Sequence, residues 1–247
     1  MAMDSSRVVM ITGGARRIGA EIVRHLHQSG MRVILHYCHS EGDAQSLAEE
    51  LNAKRAGSVH ILQGDLTEYT NIPGLVTRAK AFFDRLDVLI NNASCFFPTH
   101  LDEVDEDIWE QLVGINLKAP LYLTQAAAPH LKVVRGCIIN IVDIHADRPL
   151  KGYPVYSVSK AGLAMLTKAM ARELAPHVRV NGIAPGAILW PEQEHYASLH
   201  QEIISRTALK REGEPKDIAQ TARYLIEHAD YVTGQIIPVD GGRTLSN

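Results

Sequence analysis

The sequence has few cysteines, few aromatic residues and no long apolar run. Its three cysteines, Cys38, Cys95 and Cys137, are too few and too irregularly spaced for a disulfide framework or a zinc site, which indicates reduced thiols in a cytosol. No stretch of about 18 apolar residues is present, and residues 1–7 include an aspartate and no apolar signal-peptide core. We therefore expect a cytoplasmic protein with no membrane partner.

The sequence also lacks an excess of one charge. It carries 25 Lys and Arg against 28 Asp and Glu, with both signs mixed along the chain and a formal net charge of -3. This balance removes the basic footprint of a protein that binds nucleic acid. The 12 histidines form no H-x-x-x-H or H-E-x-x-H arrangement, so no metal site is expected. Any recognition of phosphate must therefore be local.

What the sequence does contain is an alternation of short apolar runs and longer amphipathic stretches. The chain has 247 residues, is 46% hydrophobic and has no linker-like segment, which predicts a single domain over residues 1–247. The apolar runs are continuous, as expected of strands that are buried on both faces of a parallel sheet. The predicted strands are Val8–Ile11, Arg32–His36, Val59–Gln63, Val88–Asn91, Cys137–Val142, Arg179–Ile183 and Gln235–Val239.

Helical patterns lie between these strands. The predicted helices are Ile18–Ser29, Asp43–Ala56, Ile72–Phe83, Glu106–Asn116, Ala119–Leu131, Tyr156–Ala175 and Pro215–Glu227. This β-α-β-α order predicts an α/β fold, a Rossmann-type doubly wound parallel sheet of about seven strands with helices on both faces. Ligands of such sheets bind outside the carboxyl ends of the strands, where this sequence places most of its unusual polar residues.

A glycine-rich turn follows the first strand and opens the first helix. It runs from Thr12 to Gly19, with Gly13 at the tight turn and Gly19 where the helix must approach closely. The backbone N–H groups of such a turn and the positive end of the helix dipole can hold a phosphate. On the first strand of an α/β sheet the turn indicates a dinucleotide cofactor. Further residues of the turn that would contact it are Arg16, Arg17 and Ile18.

A second informative group consists of Asp143, Tyr156 and Lys160. The tyrosine and the lysine are four residues apart on one face of a predicted helix, and the aspartate lies thirteen residues earlier, at a strand end. If this face looks onto a nicotinamide, the ammonium would lower the pKa of the phenol, which could relay a proton to a reduced substrate. The alternatives are a core tyrosine with a solvated lysine, and an aspartate that caps a turn.

Four motifs in order resemble the short-chain dehydrogenase/reductase family along nearly the whole chain. They are T-G-x-x-x-x-x-G at residues 12–19, N-N-A-S at residues 91–94, Y-x-x-x-K at residues 156–160 and P-V-D-G-G at residues 238–242. The resemblance implies the α/β fold described above, a nicotinamide dinucleotide cofactor and a homotetramer. In that assembly, helices within 106–131 and 156–175 would pair about two-fold axes, and residues 240–247 would lie near a neighbour.

Two departures from the usual family pattern are informative. Arg17 stands where the family often has a third glycine, and Asp143 stands where it usually has a serine. Together with His36-Tyr37, the run N-A-S-C-F at residues 92–96 and the segment 142–156, they resemble the pteridine reductase branch. The likeness implies that Arg17 reaches the pyrophosphate and the pterin, that Ser94 hydrogen-bonds both, and that Phe96 covers the pterin ring. It also implies that Asn116 supports a water relay behind the lysine.

The end of the second strand bears on the choice between NADP and NAD. NAD enzymes generally hold the ribose 2′-hydroxyl there with an acidic side chain. This chain offers His36, His39 and Ser40, with Arg16 nearby by fold geometry, a set that suits a 2′-phosphate and favours NADPH. The alternative is that Arg16 merely faces solvent.

Other expected cofactor contacts follow from the same resemblance. Asp65 would accept from the adenine amino group, although an aspartate there could equally be a helix N-cap. Further contacts would come from Leu66, Asn92, Ala93, Pro185, Gly186 and Ile188. Residues 189–212 lie where such folds carry a mobile substrate lid. Trp190 and Tyr153 could flank a flat heterocycle or simply pack that lid.

The leading hypothesis is an NADPH-dependent pteridine reductase that converts dihydropterins, and also dihydrofolate or oxidised pterins, to reduced forms. Hydride transfer would be accompanied by protonation from Asp143 and Tyr156, since reduction of a C=N bond needs a proton at nitrogen. One alternative is a short-chain reductase of a carbonyl compound, such as a keto-acyl or sugar substrate. Another, of a different class, is a catalytically silent NADP-binding regulator.

Overall fold

The protein is built on a seven-stranded parallel sheet. The computed structural model describes residues 6–188 and 197–245, and within 197–200 it describes the backbone only. The strand order is β3-β2-β1-β4-β5-β6-β7. The strands are β1 Val8–Ile11, β2 Arg32–Tyr37, β3 Val59–Gln63, β4 Val88–Asn91, β5 Cys137–Ile141, β6 Arg179–Pro185 and β7 Ile236–Val239. All seven predicted strands are confirmed, with ends that differ by two residues at most.

Helices cover both faces of this sheet, as predicted. The α-helices are α1 Arg17–Gln28, α2 Glu41–Lys54, α3 Ile72–Ala81, α4 Glu106–Val113, α5 Ala119–Val134, α6 Pro154–Leu174, α7 Ala197–Ser205 and α8 Pro215–Glu227. Seven of them correspond to predicted helices. α7 was not predicted, and it lies within the segment that the sequence analysis assigned to a lid. The first eight residues of that segment, 189–196 with Trp190, lie outside the described residues.

Side chains alternate between the two faces of the sheet and so form two cores. On β1, Val9 and Ile11 face the core formed with α1, α2 and α8, whereas Val8 and Met10 face the core formed with α3, α5 and α6. All four are at most 1% exposed. Complete burial of such a side chain is worth about 1.5–3 kcal/mol, so the inner strands are the most strongly held part of the fold.

The helix after β4 contains a wide turn. Between α4 and α5, residues Gly114–Lys118 form a π-helix, which continues directly into α5. The sequence predicted two separate helices here, because the periodicity does not reveal a change of helix type. A π-turn of this kind often lies at a functional site, and this one carries Asn116.

The sheet order sets the position of the ligand crevice. β1 pairs with β2 on one side and with β4 on the other, so the chain reverses its direction of winding beside β1. The crevice of such a sheet opens at the carboxyl ends of the strands that flank this switch point. The segments after β1, β4, β5 and β6 therefore meet there. No helix within 6–188 or 197–245 is long and apolar enough to cross a membrane.

Gly136 directly precedes β5 and packs closely against the backbone of the neighbouring strand segment. A Cβ atom added at this glycine would overlap the backbone oxygen of Asp87, which cannot move as a side chain could. We expect Gly136→Ala to lower the free energy of unfolding by about 1–3 kcal/mol, measured by urea denaturation.

Gly74, within α3, is the matched control, because a Cβ atom there has nothing within 4 Å. Gly74→Ala should stabilise the protein by about 0.5–1 kcal/mol through helix propensity. Equal effects of the two substitutions would contradict the packing described for Gly136.

Candidate active site

The glycine turn is attached to the ends of two neighbouring strands. The Asn92 side-chain amide donates to the carbonyl oxygens of Thr12 and Gly13, at 2.9 Å each. The Thr12 hydroxyl accepts from the backbone N–H groups of Asn92 and Ala93, at 3.0 Å each. Gly13 has a φ of +61°, which a glycine adopts without strain. Asn92 and Ala93, which follow β4, therefore hold the glycine turn in place by hydrogen bonds.

The turn fits a dinucleotide phosphate. A Cβ atom at Gly19 would overlap the carbonyl oxygen of Gly13 and approach Asn92 Nδ2 to 2.7 Å, so only glycine allows α1 to begin this close to β1. The first turn of α1 contains no acidic residue that would oppose an anion at its positive end. These residues fit the pyrophosphate of a nicotinamide dinucleotide.

Arg17 has a strained backbone at the start of α1. Its φ is +52°, in the left-handed region, and its side chain is exposed. A non-glycine residue in this region costs roughly 1–2 kcal/mol, whereas a glycine would not pay it. The strain agrees with the family resemblance, which implies a glycine at this position. An arginine here indicates a functional use of its side chain.

The structure places His36 differently from the sequence interpretation. Its ring is 1% exposed; Nδ1 accepts from the backbone N–H of Gly13 at 3.4 Å, and Nε2 donates to the carbonyl oxygen of Gly64 at 3.0 Å. Burial lowers the pKa of His36 from 6.5 to about 4, so the ring is neutral at physiological pH. The imidazole thus supports the glycine turn from inside instead of facing a phosphate.

The other predicted 2′-phosphate residues lie at the surface between β2 and α2. Arg16 is 64% exposed and forms an ion pair with Asp43 in the first turn of α2. The His39 ring contacts Cys38 Sγ at 3.4 Å. Ser40 precedes α2 and its side chain makes no capping hydrogen bond. Arg16 is therefore largely exposed but paired with an acid, and its contact with a 2′-phosphate stays a prediction.

Asp65 lies at the end of β3. Its Oδ1 accepts from both the backbone N–H and the hydroxyl of Thr67, at 2.8 and 2.7 Å, and these bonds lower its pKa. The aspartate therefore does not cap α3, whose N-cap is Asn71. The Leu66 side chain is buried, so only its backbone is available to a ligand. The exposed Asp65 carboxylate is held at the rim of the crevice.

Asp143 and Tyr156 are hydrogen-bonded to each other. The Tyr156 hydroxyl donates to Asp143 Oδ2 at 2.6 Å, while Oδ1 accepts from the backbone N–H of His145 at 2.8 Å. The second bond caps a short 3₁₀ turn, Ile144–Ala146, directly after β5. One Asp143 oxygen therefore caps the turn while the other accepts from the phenol, and a role of the carboxyl group in proton transfer stays a prediction.

The pKa of Tyr156 is shifted in the direction opposite to the prediction. Burial of the phenol, followed by the negative charge of Asp143, raises its pKa above the ordinary value of 10. The expectation that Lys160 would lower this pKa was wrong. The Tyr156 hydroxyl bonds a carboxylate, and the residue is only 4% exposed. The phenol therefore keeps its proton at neutral pH.

Lys160 is buried beneath this pair. Its Nζ donates to the carbonyl oxygen of Ile141 at 3.0 Å and lies 5.8 Å from the centre of the Tyr156 ring. Burial lowers its pKa from 10.5 to about 8, an effect that the Asp143 carboxylate partly offsets. At pH 7 the group is an ammonium, so a positive charge lies below the carboxylate and the phenol.

Asn116 connects three parts of the site. Its Oδ1 accepts from the Ser94 hydroxyl and from the backbone N–H of Cys95, both at 2.9 Å. Its Nδ2 donates to the Cys95 carbonyl oxygen and to Ser159 Oγ, both at 3.0 Å. Ser159 in turn donates to the Tyr156 carbonyl oxygen at 2.7 Å. The Asn116 side chain thus holds Ser94 and α6 in place, and its contacts are with protein groups.

The sequence analysis did not identify Ser159 or the backbone of Cys95 as part of the site. Ser159 is completely buried, and it directly precedes Lys160 within the Y-x-x-x-K motif. Its place beside Lys160 was the one feature of the sequence that could have pointed to Ser159. The bond to Asn116, 43 residues away, could not be read from spacing.

Three aromatic rings form one wall of the crevice. Phe96 stacks on Tyr153 with 4.7 Å between ring centres and an angle of 10° between the rings. Its edge contact with Tyr156 has a centre distance of 4.8 Å and an angle of 78°. Phe96 is 56% exposed, so an apolar ring surface is accessible beside the acid–phenol pair. Tyr153 therefore lies beside the site, whereas its contact with a ligand stays a prediction.

The segment after β6 closes the far side of the site. Pro185 ends β6, and the backbone N–H of Gly186 donates to the Val239 carbonyl oxygen at 3.0 Å. A Cβ atom at Gly186 would come within 2.6 Å of Asp240 Cα, which explains the glycine. Ile188 forms an isolated parallel bridge with Gly213. In the described part of the chain, no three His, Cys, Asp or Glu residues are grouped so as to hold a metal ion.

Comparisons with known proteins agree with this geometry. The family model described as enoyl-(acyl carrier protein) reductase matches residues 13–244. Pteridine reductase 1 of Leishmania tarentolae is 32% identical over 97% of this chain and 96% of that protein. The 3-oxoacyl-(acyl-carrier-protein) reductases of Staphylococcus aureus and Staphylococcus epidermidis are 32% and 33% identical, over 97% and 96% of this chain and 99% and 98% of those proteins. The chain is thus similar over nearly its whole length both to a pteridine reductase and to 3-oxoacyl-(acyl-carrier-protein) reductases.

The burial of Lys160 predicts a pH dependence of stability. The unfolded chain has the ordinary lysine pKa of 10.5 and the folded chain a pKa of about 8, so the unfolded state binds more protons between these values. The contribution of Lys160 to the free energy of unfolding therefore rises with pH across this window. Urea denaturation between pH 8 and pH 10.5 should show this rise in the wild type and its loss in Lys160→Met.

Lys168, an exposed lysine of the same helix, provides the control. Lys168→Met should keep the wild-type pH dependence. If Lys160→Met also keeps it, the charge of the buried lysine does not contribute as described.

Proposed function

The chain belongs to the short-chain dehydrogenase/reductase family of NAD(P)-dependent oxidoreductases, and we propose that it is an NADPH-dependent pteridine reductase. Its substrates would be dihydropterins, with dihydrofolate and fully oxidised pterins as further candidates. The observation that carries the proposal is the 2.6 Å hydrogen bond between the Tyr156 hydroxyl and Asp143 Oδ2. An acid at this position can deliver a proton, whereas a serine could only orient a hydroxyl.

The proposed reaction adds a hydride to carbon and a proton to nitrogen of a C=N bond. A bound NADPH would supply the hydride. The Tyr156 phenol is a reservoir for the proton, because burial and the Asp143 charge raise its pKa and keep it protonated. Asp143 is partly exposed, so it can receive a proton from solvent and replace the one that the phenol gives up.

Lys160 and Asn116 would support this proton transfer. The Lys160 ammonium lies under the phenol and would stabilise negative charge that develops when the proton leaves. It is also positioned to hold a ribose hydroxyl, as the family resemblance implies. Asn116 fixes the Ser94 hydroxyl at the mouth of the site and, through Ser159, the backbone at Tyr156. These residues would keep the donors in place before the substrate binds.

The substrate pocket suits a flat, hydrogen-bonding heterocycle. The exposed Phe96 ring offers a face on which such a ring can stack. Arg17 at the rim provides N–H donors. The Ser94 hydroxyl oxygen, whose hydrogen is donated to Asn116, and the Asp143 carboxylate provide acceptors. Tyr153 supports Phe96 from behind. A small keto-acyl group would bind fewer of these polar groups and would not need the aromatic face.

NADPH is the proposed form of the cofactor. The backbone at the end of β2 is followed by Cys38, His39 and Ser40 and has no acidic side chain at the place where NAD enzymes hold the ribose. Arg16 provides a guanidinium nearby. We further propose a homotetramer, supported by large apolar side chains on the outer surfaces of α4–α6: Trp109, Val158 and Met165 are 41%, 53% and 63% exposed.

Reduction of a carbonyl compound is the second candidate. It is favoured by the 32–33% identity to 3-oxoacyl-(acyl-carrier-protein) reductases, which equals the identity to the pteridine reductase. The substitutions at Arg17 and Asp143 oppose it. A parallel assay of NADPH oxidation with dihydrobiopterin, dihydrofolate and a panel of ketones would decide between the candidates.

Substitutions of Asp143 and Tyr156 test the proposed mechanism. Asp143→Asn and Tyr156→Phe should each lower kcat for dihydropterin by about 10²–10⁴-fold, because each removes a proton-transfer group. The affinity for NADP+, measured by calorimetry, should change little. Asp147→Asn, which alters an exposed aspartate of the following loop, is the control and should retain full turnover. Unchanged turnover in both active-site variants would disprove the mechanism.

Arg17 should show a trade between stability and activity. Arg17→Gly relieves the left-handed strain, so the free energy of unfolding should rise by about 0.5–1 kcal/mol while dihydropterin turnover falls. Arg135, the exposed C-cap of α5, has nearly the same φ of +51° and precedes β5, so it lies at the edge of the sheet opposite the crevice. Arg135→Gly should therefore give a similar stabilisation with unchanged turnover. Pterin reduction by Arg17→Gly at the wild-type rate would remove Arg17 from the proposed site.

A further inference from the structure

An ion pair joins the glycine turn to the first turn of α2. Arg16 Nε donates to Asp43 Oδ2 at 2.6 Å, and Arg16 Nη2 lies 2.5 Å from the same oxygen. The two side chains are 64% and 43% exposed, so both reach solvent. The sequence interpretation places Arg16 near a 2′-phosphate and gives Asp43 no role. The structure shows that the two act as one unit.

Asp43 is the acid of this helix turn that faces Arg16. The neighbouring acid, Glu41, hydrogen-bonds the Tyr37 hydroxyl instead. Ser40 and the start of α2 lie at the same end of the helix, where the dipole is positive and the Ser40 side chain makes no capping bond. The surface beside Arg16 therefore combines groups that attract an anion with one carboxylate that repels it.

We infer that Asp43 determines cofactor selectivity by weakening the binding of the 2′-phosphate. The inference rests on the proposed function only in that the site binds a nicotinamide dinucleotide. A guanidinium has five N–H donors, and Asp43 Oδ2 takes the one of Nε and lies against Nη2. A phosphate that binds Arg16 must share it with Asp43 and also bear the repulsion of that carboxylate. An unphosphorylated cofactor meets neither effect.

The expected effect of Asp43 is moderate because the site is open to water. Exposed charges a few ångströms apart interact weakly and are screened by salt, so removing one of them should change affinity by about three- to tenfold. The effect should act on binding of the phosphorylated cofactor and not on the reacting atoms. Asp43 would thus allow some use of the unphosphorylated form by an enzyme that otherwise prefers the phosphorylated one.

The test is the affinity of Asp43→Asn for NADP+ and for NAD+, measured by calorimetry without substrate. We expect NADP+ to bind about three- to tenfold more tightly than to the wild type, with the gain decreasing as salt is raised. The affinity for NAD+ should be unchanged or lower. Glu49→Gln removes another exposed carboxylate of α2, one that bonds Gln45, and should change neither affinity.

Two results would overturn the inference. Weaker binding of NADP+ to Asp43→Asn would mean that the carboxylate holds Arg16 in its phosphate-binding position. Unchanged binding would mean that Asp43 does not influence the cofactor. Because the assay contains no pterin, absence of pterin turnover leaves its outcome intact. A wild-type protein that prefers NAD+ would contradict the proposed NADPH cofactor, while the shift in NADP+ affinity would still decide the role of Asp43.

Discussion

The hydrogen bond between Tyr156 and Asp143 is the interaction on which the rest of the site depends. It forms because a strand end and a helix start meet at the carboxyl edge of the sheet, and because the turn after β5 fixes Asp143 by its other oxygen. The buried Lys160 beneath the pair places a positive charge near the two groups that would exchange a proton in the proposed reaction. The glycine turn, the aromatic wall and the π-helix each bring one more surface of the crevice to this pair.

Much of this arrangement could be predicted from the sequence, because the strands are continuous apolar runs and the motifs follow one another at strand ends. The order of the motifs was enough to bring Asp143, Tyr156 and Lys160 together. The direction of the Tyr156 pKa shift could not be predicted, since it depends on burial and on which charge the hydroxyl touches. The inward-facing ring of His36 and the Arg16–Asp43 pair were also out of reach, because side-chain direction and contacts over 27 residues do not follow from spacing.

Overall identity does not separate the two candidate activities, and the structure indicates why. The sheet, its two cores and the glycine turn involve a large part of the chain, and these features would serve any nicotinamide-dependent reductase. In the proposed function, the choice between a carbonyl and an imine substrate would depend on a few side chains at the crevice, chiefly Arg17, Phe96 and Asp143. Arg17 in particular lies at a backbone position where glycine would be less strained. Such a position carries more information about the substrate than the average over the chain.

The π-helix at Gly114–Lys118 has a consequence for how the molecule can vary. A π-turn holds one more residue than an α-helical turn, and here it joins α4 and α5 into one continuous rod. Asn116 lies in this turn, and its side-chain amide bonds the backbone N–H and carbonyl oxygen of Cys95 in the segment after β4. Removing one residue here would convert the π-turn to an α-helical turn and would also move Asn116 away from Cys95. Length changes in this rod are therefore coupled to the chemistry of the crevice, although the sheet itself would be untouched.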